Sequence, residues 1–181
     1  MVSENYTGDN QAIESSLCKG LAEMIIQQNN NHPVVCVTLD DIQVYAQWLT
    51  EKNNNYVFSL PTEAEWEYSC RNRGKNIKYS WGDQTPVAQK SHPYGARFDD
   101  KSFGAVAVGS YRSNDSGLFD MCGNVWEWCL DDIRIDTSYI LKGGSWLKFE
   151  RDITCSSRET YDTDKRGADV GFRLVCKPSK K

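Results

Sequence analysis

Seven cysteines and two histidines are the side chains of this chain best suited to covalent, redox or metal chemistry, and their spacing limits what they can do. Cys18, Cys36, Cys70, Cys122, Cys129, Cys155 and Cys176 are spread over 181 residues. No two of them form a Cys-x-x-Cys pair of the zinc type, and they lack the dense, even spacing of a small secreted disulfide scaffold. The odd number leaves at least one thiol unpaired within the chain, and reduced, buried thiols packed as small hydrophobes are the expectation. A catalytic thiol needs a base or cation beside it. His32 and His92 stand apart from the glycine- and tryptophan-rich segments, so a redox role for Cys122, Cys129 or Cys155 is the lesser alternative.

A second candidate is the stretch from Leu147 to Asp169. Leu147, Phe149, Arg151, Asp152, Thr160, Tyr161, Asp162, Asp164 and Asp169 mix apolar and aromatic anchors with adaptable polar groups, the blend that suits a binding surface. The plain alternative is an ordinary solvated loop. Arg158 and Arg173 sit among small or apolar neighbours, where a guanidinium needs carboxylate or carbonyl partners, and both read as clamps that hold loops in place.

The elements that must position these residues are unevenly marked. Ile13, Leu17, Leu21, Met24 and Ile25 predict an amphipathic helix within 11–27. Val34-Val-Cys-Val37 reads as a short buried strand. Thr38 or Asp40 caps a helix carrying Ile42, Tyr45, Ala46 and Leu49 on one face, and Thr62 with Glu65 forms a capping box for the next helix, ahead of Trp66. Beyond Tyr79 the texture changes to short segments broken by Gly, Asn, Asp and Ser. AVAVGSY (105–111), YILKGGSW (139–146) and VGFRLVC (170–176) are the predicted strands, whereas 147–169 carries no secondary-structure signal. In GNVWEW, Trp126 and Trp128 alternate with Glu127, so the indoles face one side and the carboxylate the other. Gly143 and Gly144 let the backbone pass close to a packed neighbour.

Composition narrows the function further. A formal net charge of -4 and a pI near 5.2, with Lys and Arg scattered except at Lys177, Lys180 and Lys181, leave no phosphate-binding footprint, and no nucleic-acid partner is expected. No apolar run approaches the ~20 residues of a membrane span, and no secretion signal is readable, so a cytoplasmic or virion-associated protein is expected. The length suits one domain over 1–181, long enough to bury about 70% of its unfolded surface.

LPTEAEWEYSCR (60–71), YSWGD (79–83), VGSYRSNDSGLFDMCGNVWEW (108–128), LKGGSW (141–146) and GFRLV (171–175), with HPVVCVTLDDIQVYAQWL (32–49) before them, resemble the formylglycine-generating enzyme (sulfatase-modifying factor) family in order and approximate spacing over about 32–176. The resemblance implies an α+β, C-type-lectin-like fold that is loop-rich, with short antiparallel strands and a few helices. It also implies a calcium ion held by the carboxylates of Asp120 and Glu127 and the carbonyls of Gly123 and Val125, the hard oxygen set Ca²⁺ prefers. A second family calcium site near 96–103 is not expected, because Arg97 stands where an oxygen ligand would be. The family motifs further imply that Cys70 and Cys176 lie close together at one end of the fold.

Two departures from the family pattern shape the expected function. Oxidases of the family resemble one another in carrying two closely spaced cysteines after the Gly-Gly-Ser turn, which hold copper(I). Here the first of those positions falls at Lys148, and Cys155 matches a non-catalytic family cysteine, so no copper and no oxidase activity are expected. The family's usual opening segment is also missing. Shortened proteins diversified by retroelements resemble this chain as well, with a variable region that begins near GGSW and ends at GFR. The expectation is therefore a non-catalytic ligand-binding protein whose 147–169 surface meets a protein or cell-surface molecule. A divergent enzyme and an accessory structural domain are the alternatives.

Overall fold

The computed structural model describes residues 30–87, 95–99, 104–130 and 138–179. The helix expected within 11–27 lies outside them. Helix α1 (Leu39–Glu51) starts at Thr38, whose hydroxyl accepts from the Asp41 N–H while the Asp41 carboxylate accepts from the Thr38 N–H, and it buries Leu39, Ile42 and Ala46. After strand β1 (Tyr56–Ser59), helix α2 (Glu63–Cys70) repeats the device with Thr62 and Glu65 and buries Trp66 and Cys70. Each reciprocal cap satisfies two orphan N–H groups at a helix start.

The remaining strands are β2 (Trp126–Cys129), β3 (Ser138–Lys142), β4 (Arg158–Asp162), β5 (Val170–Gly171) and β6 (Val175–Pro178). They form a four-stranded sheet in the order β4-β3-β2-β5, antiparallel except for the parallel β2–β5 pair, and a two-stranded antiparallel ribbon of β1 with β6. The architecture is α+β and rich in loops, as the sequence implies.

Strand β2 divides the core in two. On one face Trp126 and Trp128 pack with Leu39, Ile42, Leu60, Leu141 and Val170. On the other, Cys129 joins Trp66, Cys70, Tyr79, Met121 and Cys155. This is the alternation expected of the Trp-Glu-Trp segment. The indole N–H groups of Trp126, Trp128 and Trp146 are buried without a hydrogen-bond partner, so these rings act as hydrophobes. The glycine reading also holds. Gly143 has φ +91, and a Cβ there would meet the Trp66 ring at 3.0 Å; at Gly144 (φ +76) one would lie 2.5 Å from the Asp152 carbonyl oxygen.

Several expectations are corrected. Val34-Val-Cys-Val37 is not a strand: Cys36 has φ 58 and its N–H donates to the Gly167 carbonyl, which turns the chain where an extended run was expected. AVAVGSY is irregular, with a turn at Val108 and Gly109, and Val108 is exposed. VGFRLVC is split at Phe172 between β5 and β6, which belong to different sheets. The 147–169 stretch holds a 3-10 turn (Glu150–Asp152) and the whole of β4, because pairing along β3 supplies the order that its polar sequence does not signal. Finally, Cys70 is bonded to Cys155 and so has no thiol left for Cys176, which is free and exposed on β6. The expectation of thiols that are all reduced fails with it.

The Cys70–Cys155 bond closes a long loop, with a sequence separation of 85. Loop-closure entropy for that length is about 4.6 kcal/mol. Cys155→Ser is therefore expected to lower the unfolding free energy measured in urea by about 2–5 kcal/mol. Cys176→Ser should stay within about 0.5 kcal/mol of wild type.

Candidate functional site

The segment after Gly144 is exposed at its tip and fastened along its base. Ser145 Oγ donates to Asp169 at 2.6 Å, and the Trp146 N–H donates to the Asn124 carbonyl at 2.8 Å. The Asp99 N–H donates to the Lys148 carbonyl and the Cys155 N–H to the Lys78 carbonyl, both at 2.9 Å, and the disulfide ties Cys155 to the end of α2. Between these points Leu147 and Phe149 are 56% and 54% exposed, and the Arg151 guanidinium lies 5.5 Å from the Phe149 ring centre. Lys148 turns the other way, bonded to Glu159 at 3.0 Å and lying over the Trp126 ring.

The nine residues singled out in the sequence do not form one patch. Leu147, Phe149, Arg151 and Asp152 are together, with Arg151 also 3.6 Å from the Asp152 carboxylate. Strand β4 separates the next three by its alternation. Tyr161 packs edge-on against Trp128 in the core, whereas Thr160 and Asp162 are exposed on the opposite face, where Arg158 reaches Glu63 of α2. Asp162 pairs with Lys165, and Asp164 is exposed in the following turn. Asp169 serves the scaffold: besides holding Ser145, its carbonyl accepts the Trp126 N–H.

Asp120, Glu127 and Arg173 line a separate cleft of about 320 Å³ with Pro33, Val108, Phe119 and Phe172. Glu127 is buried and fully engaged, taking the Trp66 indole N–H at 2.6 Å and both Nε and Nη2 of Arg173. Asp120 is different. One oxygen accepts the Gly109 N–H at 2.7 Å, and the other is buried with no partner. Burial pushes the Asp120 carboxyl above the usual range, with Glu127 adding to the rise, while the Gly109 N–H and Arg173 pull it back. Gly123 has φ +86, and a Cβ there would collide with the Arg97 carbonyl oxygen at 2.3 Å, so the turn carrying the Gly123 and Val125 carbonyls requires glycine. The orphaned Asp120 oxygen is a donor that a hard cation would take, whereas both Glu127 oxygens are already filled by Arg173 and Trp66, so of the two carboxylates in the calcium set that the resemblance implies Asp120 alone is open.

Three sulfurs converge beneath α2. The Sγ atoms of Cys70, Cys122 and Cys155 lie within 4.8 Å of one another, all buried. Sequence reasoning missed this grouping, since the three are separated along the chain by 52 and 33 positions (122 − 70 and 155 − 122) with no motif linking them.

A family model described as "Sulfatase-modifying factor enzyme 1-like domain" matches residues 5–178. The chain belongs to this family. Formylglycine-generating enzymes of Streptomyces coelicolor and Thermomonospora curvata are each 32% identical to it, over 172 and 183 residues, which is 80% and 84% of this chain and 52% and 58% of theirs. An inactive Cα-formylglycine-generating enzyme 2 of Bos taurus is 32% identical over 164 residues, 83% of this chain and 52% of its own. The chain thus spans about half the length of the curated relatives it matches. Among solved structures, PvdO from Pseudomonas aeruginosa superposes with a TM-score of 0.69 at 25% identity, covering 84% of this chain and 64% of that one. Treponema denticola variable protein 1 superposes at 0.68 with 22% identity, covering 82% and 72%, and so shares the fold.

Membership of the family corrects one expectation outright. The chain was expected not to be an enzyme because the cysteine pair after Gly-Gly-Ser is absent. Several curated relatives are formylglycine-generating enzymes, and the buried cluster of Cys70, Cys122 and Cys155 is compatible with such an enzyme, so the missing pair after Gly-Gly-Ser does not exclude one. Among the described residues, no helix is long and apolar enough to cross a membrane.

Asp120 gives a test with a definite sign. A carboxyl whose folded pKa is raised costs stability as pH rises through that pKa, and the cost vanishes below the unfolded value, about 4. Asp120→Asn is therefore expected to raise the melting temperature at pH 7 in metal-free buffer, with the gain disappearing on acidification to about pH 3.5. Glu127→Ala should cost about 3–5 kcal/mol, since it leaves the Arg173 guanidinium without its carboxylate.

Proposed function

We propose that this domain is a polypeptide-recognition module of the sulfatase-modifying factor family, with Leu147, Phe149 and Arg151 as its contact residues on a loop whose base is fixed. The observation that carries this reading is the pairing of an exposed apolar tip with a rigid foundation. Single exposed hydrophobes are common, and Val34, Val44 and Val108 are as exposed as these. What distinguishes the tip is that two such side chains and a stacked guanidinium occur within five positions (147 to 151) between tethered points. Ordering entropy is then largely spent on folding, which favours affinity on binding. Large apolar and arginine side chains of this kind supply most of the energy in protein interfaces. A protein or cell-surface molecule is the partner class that such a patch fits. A scaffold fixed on either side of a changeable tip also suits diversification, which supports the retroelement reading drawn from the GGSW-to-GFR resemblance.

We also propose a calcium ion at Asp120 and Glu127 with the Gly123 and Val125 carbonyls. When bound it would satisfy the orphaned oxygen of Asp120, with Glu127 shared between the ion and Arg173, and stiffen the turn before β2. The role of these four residues is to present oxygens from a turn that glycine keeps tight. Calcium is then expected to raise the melting temperature of wild type, as for any ligand of the native state alone, and to leave Asp120→Asn unmoved.

A second reading is favoured by the curated relatives: oxidation of a cysteine in a sulfatase-type peptide to formylglycine. Mass spectrometry decides it, since an aldehyde product on a cysteine peptide incubated with the purified domain would establish the activity. For the recognition reading, Leu147→Ala, Phe149→Ala and Arg151→Ala should each leave stability within about 0.5 kcal/mol. A photoreactive residue at Phe149 should cross-link a partner polypeptide in a lysate of the source, in a product lost in Arg151→Ala. The same probe at Val44 on α1 should not. Equal yields at both positions, or unfolding of the loop variants, would remove the basis for the reading.

A further inference from the structure

The sulfur cluster holds more than the disulfide uses. We propose that, when the Cys70–Cys155 bond is reduced, Cys70, Cys122 and Cys155 bind one zinc-type divalent cation, with the Met121 carbonyl oxygen as the fourth donor. The site is independent of the recognition loop's function. Cys122 Sγ lies 3.8 Å from Cys70 Sγ, and the Met121 carbonyl oxygen lies 3.7 Å from the same sulfur. A tetrahedron with zinc–sulfur bonds of about 2.3 Å and a zinc–oxygen bond of about 2.1 Å has sulfur–sulfur edges of about 3.8 Å and a sulfur–oxygen edge of about 3.6 Å. Both observed separations are therefore already those of a zinc coordination shell. All three sulfurs lie within 4.8 Å of one another, so after reduction Cys70 and Cys155 part and the third sulfur settles to the same edge length.

The surroundings suit a thiophilic cation. The three cysteines are 0–3% exposed, and the Ser80 N–H donates to Cys122 Sγ at 3.4 Å, which fixes the direction of that sulfur. Burial disfavours un-neutralised thiolates at all three positions. A divalent cation removes that penalty by neutralising the thiolates it binds, and sulfur donors select soft cations over calcium. The steps balance. A dithiol reductant gives two electrons and two protons to the Cys70–Cys155 bond and leaves as a disulfide; zinc then displaces three thiol protons, so binding strengthens as pH rises. The oxidised and metal-bound forms exclude each other, and either one fastens the base of the 147–155 segment to α2.

The test uses the full chain, reduced anaerobically with a non-chelating phosphine until seven thiols titrate under denaturing conditions. It is then given zinc and passed through gel filtration with a competing chromogenic chelator. One zinc per chain is expected in wild type and in Cys176→Ser. At least ~tenfold less is expected in Cys122→Ser and in oxidised wild type. The oxidised protein, folded by circular dichroism and unmutated, keeps the comparison valid if Cys122→Ser fails to fold. Zinc absent from the reduced protein, equal in the oxidised protein, or lost in Cys176→Ser would overturn the proposal.

Discussion

The buried carboxylate of Glu127 is the constraint around which the described structure is organised. A carboxylate in the interior is costly unless its oxygens are occupied, and here they are filled from two directions, by the Trp66 indole N–H of α2 and by the Arg173 guanidinium after β5. Opposite Glu127 in the β2–β3 register stands Lys142, itself buried and paired with Glu63 and Glu67 of α2. A charged layer thus lies between α2 and the sheet, while the tryptophans on the reverse of β2 carry the hydrophobic burial. Such networks specify one arrangement because each member left unpaired would be expensive. Arg173 extends the constraint to Phe119 through its carbonyl, so the cleft that holds Asp120 is set by the same ion pair.

Local chemistry made part of this legible in the sequence. The two capping boxes at Thr38 and Thr62, the alternation of Trp126, Glu127 and Trp128, and the glycine demand at 143 and 144 are all decided within a few residues of chain. What the sequence concealed was decided by distant partners. Strand β4 carries one aromatic, Tyr161, among polar residues and exists because β3 pairs with it. Cys36 looked like part of a strand, but a hydrogen bond from its N–H to Gly167 turns the chain there. The sulfur cluster is assembled from three separate segments. The candidate binding residues do not share one surface: the period-two geometry of β4 sends Tyr161 inward and Thr160 outward, and Asp169 is spent on holding Ser145.

Rigid attachment links packing to function. Leu147 and Phe149 contribute little to the core, so the domain can change them at small cost. Trp146 before them and Ile153 and Cys155 after them are buried and cannot be changed so freely. Buried anchors thus flank the exposed side chains within a dozen residues, so one segment both packs the core and presents side chains to solvent. Zinc or a disulfide at the sulfur cluster would act on the same segment from below.

The central claim is that the exposed tip rests on a base as stable as the core, and native-state hydrogen exchange of the backbone amides measures this most directly. The account predicts that the amides of Trp146, Asp152 and Cys155, which donate to Asn124, Phe149 and Lys78, exchange only through global unfolding, at the same free energy as the amides of β2 and β3. Exchange of these amides through a local opening several kcal/mol below the global value would show that the loop is mobile in the native state, and would contradict the account.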